Sequence, residues 1–180
     1  HTVMRDLWQI STYLNLNKYQ CSIQNVAQVN PDLSDAAKHS QSYATAIALM
    51  GIPLFFCETK YFTDDARSEI RRLLDVYKQH RRDMFRGYVF PIGEKPDNAA
   101  WTGFQNVVDD NCGYLTIFRE INNSENEKKI KLLFSKQCSV ELEDLINGGT
   151  KTCDVDDDGS VEFVMSEPAD FRFFKYRFTA

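Results

Sequence analysis

The chain has 180 residues, of which 43% are hydrophobic, 13% aromatic and 26% charged, with a net charge of -5. That is the composition of a globular protein and not of a disordered one, and the negative balance argues against a surface built to coat nucleic acid. No run of about 18 apolar residues is present, and the opening His1-Thr-Val-Met-Arg-Asp-Leu-Trp carries no signal-peptide core, so a soluble chain with a cut edge at His1 is expected.

Val3, Leu7, Ile10 and Leu14 recur at helical spacing and predict a helix over 2–15. Residues 19–26 read as a short strand. Asn30-Pro-Asp32 is turn chemistry, and Asp32 or Ser34 is placed to cap a second helix that runs to Met50. That helix is rich in alanine and stops at Gly51, with Pro53 just beyond. The apolar run 53–57 fits a strand buried on both faces, as parallel strands usually are. A third helix begins at Thr63 or Asp64, with acidic residues in its first turn and Arg81, Arg82 and Arg86 near its end, and its apolar stripe is Ala66, Ile70, Leu73, Leu74, Tyr77 and Met84.

After Tyr88-Val-Phe-Pro-Ile-Gly-Glu-Lys-Pro the spacing changes from helical to alternating. Residues 113–121 and 129–134 are expected to pair as a hairpin, followed by strands at 140–145, 161–165 and 171–178, about ten residues apart, as in an antiparallel sandwich. The expected organisation is a helical βα segment over 1–87, a linker crossing over 88–100 and an antiparallel β-sandwich over 101–180. The fold class is α+β, and two strands are too few to close a parallel sheet.

Asp154-Val-Asp-Asp-Asp-Gly159 opens like a calcium loop, but the position that needs a bidentate Glu holds Met165, so the plain Asp-Gly turn is favoured. Arg71-Arg72 and His80-Arg81-Arg82 read as a solvated helix face. His1, His39 and His80 show no metal-ligand spacing, and no nucleophile is nominated. The five cysteines (21, 57, 112, 138 and 153) contain no CxxC pair and read as mostly buried free thiols, with one bridge in the β half left open. No metal and no cofactor is expected.

The strand-to-helix loop Glu58-Thr-Lys60-Tyr61 stands out by position, because residues at the C-terminal ends of parallel barrel strands form the active face of a βα barrel. Glu58, with Lys60 beside it, is a candidate for binding a sugar hydroxyl; the plain reading is an exposed loop. Asn25 and Gln28, after the first strand, are weighed in the same way.

Ser42-Tyr-Ala-Thr-Ala-Ile-Ala-Leu-Met-Gly-Ile-Pro-Leu54, Tyr77-Lys-Gln-His-Arg81, Pro91-Ile-Gly-Glu-Lys-Pro96 and Trp101-Thr-Gly-Phe-Gln105 resemble the end of a melibiase-type glycoside hydrolase. The family meant is that of the α-galactosidase-like retaining enzymes. The resemblance runs in order over about residues 1–120 and more loosely to the end. It implies that 19–26 and 53–57 are the last strands of a (β/α)8 barrel, with a C-terminal sandwich as structural support. It also implies that the rest of the barrel lies upstream. Retaining glycosidases need two carboxylates ~5–5.5 Å apart. In this family both sit on earlier strands and no position here matches them, so no catalytic residue is carried over and this chain alone is expected to be inactive. Glu58, Lys60 and Asn25 would at most line the substrate pocket. The implied partners are a carbohydrate substrate and the missing barrel, with self-association through the open barrel edge. Neither nucleic acid nor a membrane is an expected partner.

Two other readings compete. One is a non-catalytic sandwich module that binds carbohydrate or protein, using Trp101, Phe104, Tyr114 or Tyr176 as a ring platform. The other is a compact α+β protein whose helices simply cover the sheet. Ring exposure separates the first from a core.

Overall fold

The computed structural model describes residues 2–135 and 139–179; His1 and Cys138, weighed above, lie outside the described residues. The first helix, α1 (Thr2–Ile10), buries Met4 and Leu7 and ends before the expected Leu14. The hydroxyls of Ser11 and Thr12 donate to the carbonyls of Trp8 and Gln9 at 2.8 and 2.7 Å, a local bonding that competes with helix continuation. The expected helix up to Met50 is two pieces. A 3-10 turn (Ala36–Lys38) is followed by α2 (Gln41–Ala46), because Ser40 is extended and its side chain accepts from the Tyr43 N–H.

Strands β1 (Gln20–Ser22) and β2 (Ile52–Leu54) pair in parallel, with Cys21 opposite Pro53. Gly51 makes the approach possible: a Cβ there would lie 2.3 Å from the Cys21 Sγ and 3.0 Å from the Tyr19 carbonyl oxygen. The expected two-faced burial of 53–57 is not found. Residues 52–54 are half-buried and Phe56 is 84% exposed, because this sheet has two strands and no outer neighbour among the described residues. Helix α3 (Asp64–Met84) matches its reading closely: Thr63 caps it through the Ala66 N–H, and Ile70, Leu73, Tyr77 and Met84 are buried.

The rest is antiparallel. Residues 88–93, read as linker, form β3 (Tyr88–Gly93), paired with β4 (Trp101–Val107). With β5 (Cys112–Arg119), β10 (Asp170–Thr179), β7 (Ser139–Asp144) and β8 (Thr150–Asp154) they make a six-stranded sheet ordered β3-β4-β5-β10-β7-β8. A second sheet pairs β6 (Glu127–Lys131) with β9 (Ser160–Val164). The expected hairpin between 113–121 and 129–134 is therefore absent: β5 pairs with β4 and β10, and β6 crosses to the other sheet. Asp154–Gly159 is a turn, as read, with Gly159 at φ +87°, but it joins strands of different sheets and not a hairpin.

The six-stranded sheet is the middle layer of an α+β protein dominated by antiparallel sheet. Phe104, Tyr114, Phe118, Phe171 and Phe173 face the helices and share a core with Tyr43, Leu49, Ile70, Leu73 and Tyr77. On the other face Trp101, Leu115, Ile117, Phe174 and Tyr176 pack on Ile130, Val161 and Phe163 of the small sheet, as in a β-sandwich. Burial on both faces covers nearly every position of β4 and β5, and the polar Gln105, Asn106 and Arg119 among them are hydrogen-bonded within the protein. A polar clamp closes the joint: Asn17 donates to the Met84 and Gly87 carbonyls at 2.7 and 2.8 Å, and Asn106 donates to Met84 at 3.0 Å.

Candidate functional site

The loops that follow β1 and β2 meet at one end of the parallel pair. Ile23 N–H donates to the Leu54 carbonyl at 2.9 Å, closing the ladder. Gln41 then organises the loop after β1, its side chain donating to the Gln24 carbonyl at 2.7 Å and accepting from Val26 N–H at 3.3 Å. Asn25 is 6% exposed; its Oδ1 accepts from Ala27 N–H at 3.1 Å and its Nδ2 has no partner among the described residues. In the loop after β2, Glu58 and Lys60 form a 2.8 Å ion pair with both side chains about two-thirds exposed. The hydrogen bond that Lys60 donates to Glu58 raises the Lys60 pKa, and the ammonium also lies 4.7 Å from the Tyr61 ring centre. An exposed pair of this kind contributes little to stability. Arg67 fixes the loop by donating to the Phe62 and Lys60 carbonyls at 3.0 and 3.1 Å. Glu58 is thus a solvated carboxylate whose ion-pair partner among the described residues is Lys60.

The four rings named as a sugar platform are core. Trp101 and Phe104 are 0% exposed, and Tyr114 and Tyr176 are 1%. The indole of Trp101 donates to Asn123 Oδ1 and the Glu125 carbonyl, both at 3.1 Å. The acidic turn has its own partners: Lys129 pairs with Asp156 at 2.7 Å, and Asp158 accepts from the Ser160 N–H and hydroxyl at 3.0 Å. Among the described residues no group of three or more His, Cys, Asp or Glu is placed to hold a metal, and no helix is long and apolar enough to cross a membrane. Cys21, Cys57, Cys112 and Cys153 are free thiols, but only Cys21 is buried, against the expectation of mostly buried ones.

The sequence reading missed a cleft of 470 Å³ between the start of α1, the 31–39 loop, α2 and Asn98. Glu120 shapes one wall. Buried at 1% exposure, it accepts from Asp97 and Ala100 N–H at 2.9 and 3.0 Å, and so holds the turn in which Asn98 takes φ +79°. His39 stacks on Tyr43 with ring centres 4.7 Å apart. Among the described residues neither His39 nitrogen has a hydrogen-bond partner, and neither does the Tyr43 hydroxyl, although Tyr43 is 3% exposed. Burial, helped by Glu120, Asp35 and Asp170, raises the Tyr43 pKa. Burial lowers the His39 pKa against the pull of Asp35, so the ring is neutral at pH 7.

No protein-family profile and no curated protein sequence matches the chain. Solved structures do. The galactosidase domain of the α-galactosidase–sucrose kinase AgaSK aligns over 89% of this chain with a TM-score of 0.61 at 13% identity. A GH36 α-galactosidase AgaA variant from Geobacillus stearothermophilus aligns over 89% with a TM-score of 0.58 at 15% identity. An Anoxybacillus α-amylase aligns over 99% with a TM-score of 0.55 at 15% identity. At these identities the likeness shows the fold alone: this chain has the architecture of part of such glycosidase chains. It spans 22% and 21% of the two α-galactosidase chains and 45% of the amylase.

Proposed function

We propose that the chain is the C-terminal portion of a retaining glycoside hydrolase acting on α-galactoside-like sugars. In this reading α1–α3 and the β1–β2 pair are the closing arc of a (β/α)8 barrel, and the sandwich supports it. The observation that carries the reading is the parallel β1–β2 pair, open at both edges among the described residues, with helices on one side and a sandwich sharing their core. The likeness to α-galactosidase folds over a fifth of their length supports it further. The catalytic carboxylates then belong to upstream strands, and Glu58, Lys60 and Asn25 line the sugar pocket at the end of the last strands. The experiment is hydrolysis of aryl α- and β-glycosides by this chain and by the chain extended upstream, with activity expected in the longer one only. The open edges, flanked by exposed Phe56 and Tyr61, are expected to drive self-association of the short chain. A clean monomer by light scattering at high concentration would count against that part.

A further inference from the structure

We infer that the groove between α3 and the loop after β2 is the docking site of an acidic amphipathic helix that belongs to the upstream part of the same polypeptide. The upstream source of that helix rests on the barrel reading; the chemistry of the groove does not. Arg67, Arg71, Leu74 and Lys78 recur at i, i+4, i+7 and i+11, so they form a stripe along one side of α3. Another flank of α3 is taken by α2, where Glu69 accepts from the Ser42 N–H at 2.6 Å. The stripe faces the loop instead, and with Phe55 and Phe62 it lines a groove of 300 Å³. The floor is apolar: Phe62 and Ile70 are buried, Leu74 is half-buried and Phe55 is 39% exposed. Phe55 and Phe62 meet edge to face with ring centres 6.0 Å apart. Above this floor Arg67, Arg71 and Lys78 are all exposed, so the groups that would meet a partner are open to it.

The charge of the walls selects the partner. No carboxylate lines the groove, and its three basic residues are answered unequally. Lys78 pairs with Asp75 at 3.3 Å. Arg67 donates to the Phe62 and Lys60 carbonyls, which hold the guanidinium without neutralising it. Arg71 has no hydrogen-bond or ion-pair partner among the described residues. Two cations are thus left for acidic side chains, above a floor that accepts apolar ones, and an acidic amphipathic helix supplies both. A helix also fits the shape, because the groove follows the side of α3 and side chains at four-residue spacing form the ridges on which helices pack. Phe55 directly follows β2, whose second edge has no neighbour among the described residues. A strand added at that edge brings the helix that follows it to this flank, as in the outer ring of a βα barrel. The chain spans only 22% and 21% of the two α-galactosidase chains, so in the barrel reading the remainder supplies that unit.

The test compares the 180-residue chain with the chain extended upstream, each carrying Arg71→Glu or Arg72→Glu. Arg72 is exposed as well but does not line the groove. Arg71→Glu is expected to leave the Tm of the 180-residue chain within about 1 °C, as surface changes do, and to lower that of the extended chain by about 2 °C or more. Arg72→Glu is expected to leave both within about 1 °C. Carbodiimide cross-linking of the extended chain identifies the occupant. The Lys78 Nζ forms an amide with a carboxylate in van der Waals reach, the carbodiimide taking up the water lost, and mass spectrometry should find Lys78 joined to an Asp or Glu of the upstream segment. Equal Tm shifts for Arg71→Glu in the two chains, equal effects of Arg71→Glu and Arg72→Glu in the extended chain, or Lys78 joined to a second copy and to nothing upstream would overturn the inference. Turnover plays no part in the readout. An extended chain that meets these expectations without hydrolysing a glycoside sinks only the glycosidase reading, and an active extended chain indifferent to Arg71→Glu sinks only this docking site.

Discussion

Replacing Asn17 by alanine removes two hydrogen bonds that tie the 16–18 turn to the end of α3, where the chain leaves for β3, and the structure sets the size of the effect. Asn17 is 2% exposed and donates to both the Met84 and Gly87 carbonyls. Neither carbonyl is orphaned by the change, because Asn106 still donates to Met84 and Asn15 to Gly87, each at 3.0 Å. The loss is then the two bonds, about 2 kcal/mol in total at most, since the buried Asn17 Oδ1, which has no partner among the described residues, goes with them. For a chain of this length that lowers Tm by about 4–8 °C. Asn17→Asp separates bonding from volume. It is nearly isosteric, but it turns acceptors toward two carbonyls and buries a carboxylate, so it should destabilise more than alanine does. Calorimetric or fluorescence-detected melting of both variants gives the answer. A shift under about 1 °C for Asn17→Ala, or an Asn17→Asp variant more stable than Asn17→Ala, would refute the view that this clamp fixes the end of α3 and the start of β3 on the 16–18 turn.

Gly51→Ala should destabilise by about 1–3 kcal/mol through overpacking against the Cys21 Sγ, and Gly51→Ala/Cys21→Ala should recover part of that loss. A double mutant whose Tm falls by the sum of the singles would show that the contact is not the cause. Burial lowers the pKa of His80, with Lys175 acting in the same sense and Glu143 and Asp83 against it, and burial likewise lowers that of His39. The folded state therefore binds fewer protons than the unfolded chain below the ordinary histidine value of 6.5. Stability is expected to be fully present above that value and to be lost as pH falls through the lower folded-state values. Glu120, whose pKa burial raises, works in the opposite sense nearer the carboxylate range. Melting the chain between about pH 8 and 5.5 should show a falling Tm, flattened in His80→Phe; a rise in Tm on acidification would contradict this.

Legibility followed locality. Helix α3 was readable because its stripe, its Thr63 cap and its charged ends all lie in one stretch. The strand bodies of β5, β7, β9 and β10 were readable from alternation and turn residues. Their partners were not, since pairing β6 with β9 joins residues about thirty apart through packing that no local pattern encodes. Strand β3 was mistaken for a crossing because of Pro91 and Gly93, yet it is an edge strand, where a missing N–H is tolerated. Glu58 and Lys60 lie in the loop after β2 and are exposed there. The cleft was invisible because it gathers residues from α1, a loop, α2 and the 97–100 turn. Tyr43 read only as one more position in an alanine-rich helix, and the lack of a partner for its hydroxyl among the described residues is a three-dimensional fact.

The measurement that tests the central claim most directly is turnover of an aryl α-galactoside by the 180-residue chain beside the same chain extended upstream by the length of a barrel. The account predicts turnover only in the extended chain, weakened there by Glu58→Gln through KM. Turnover by the 180 residues alone, or by neither protein, would contradict it.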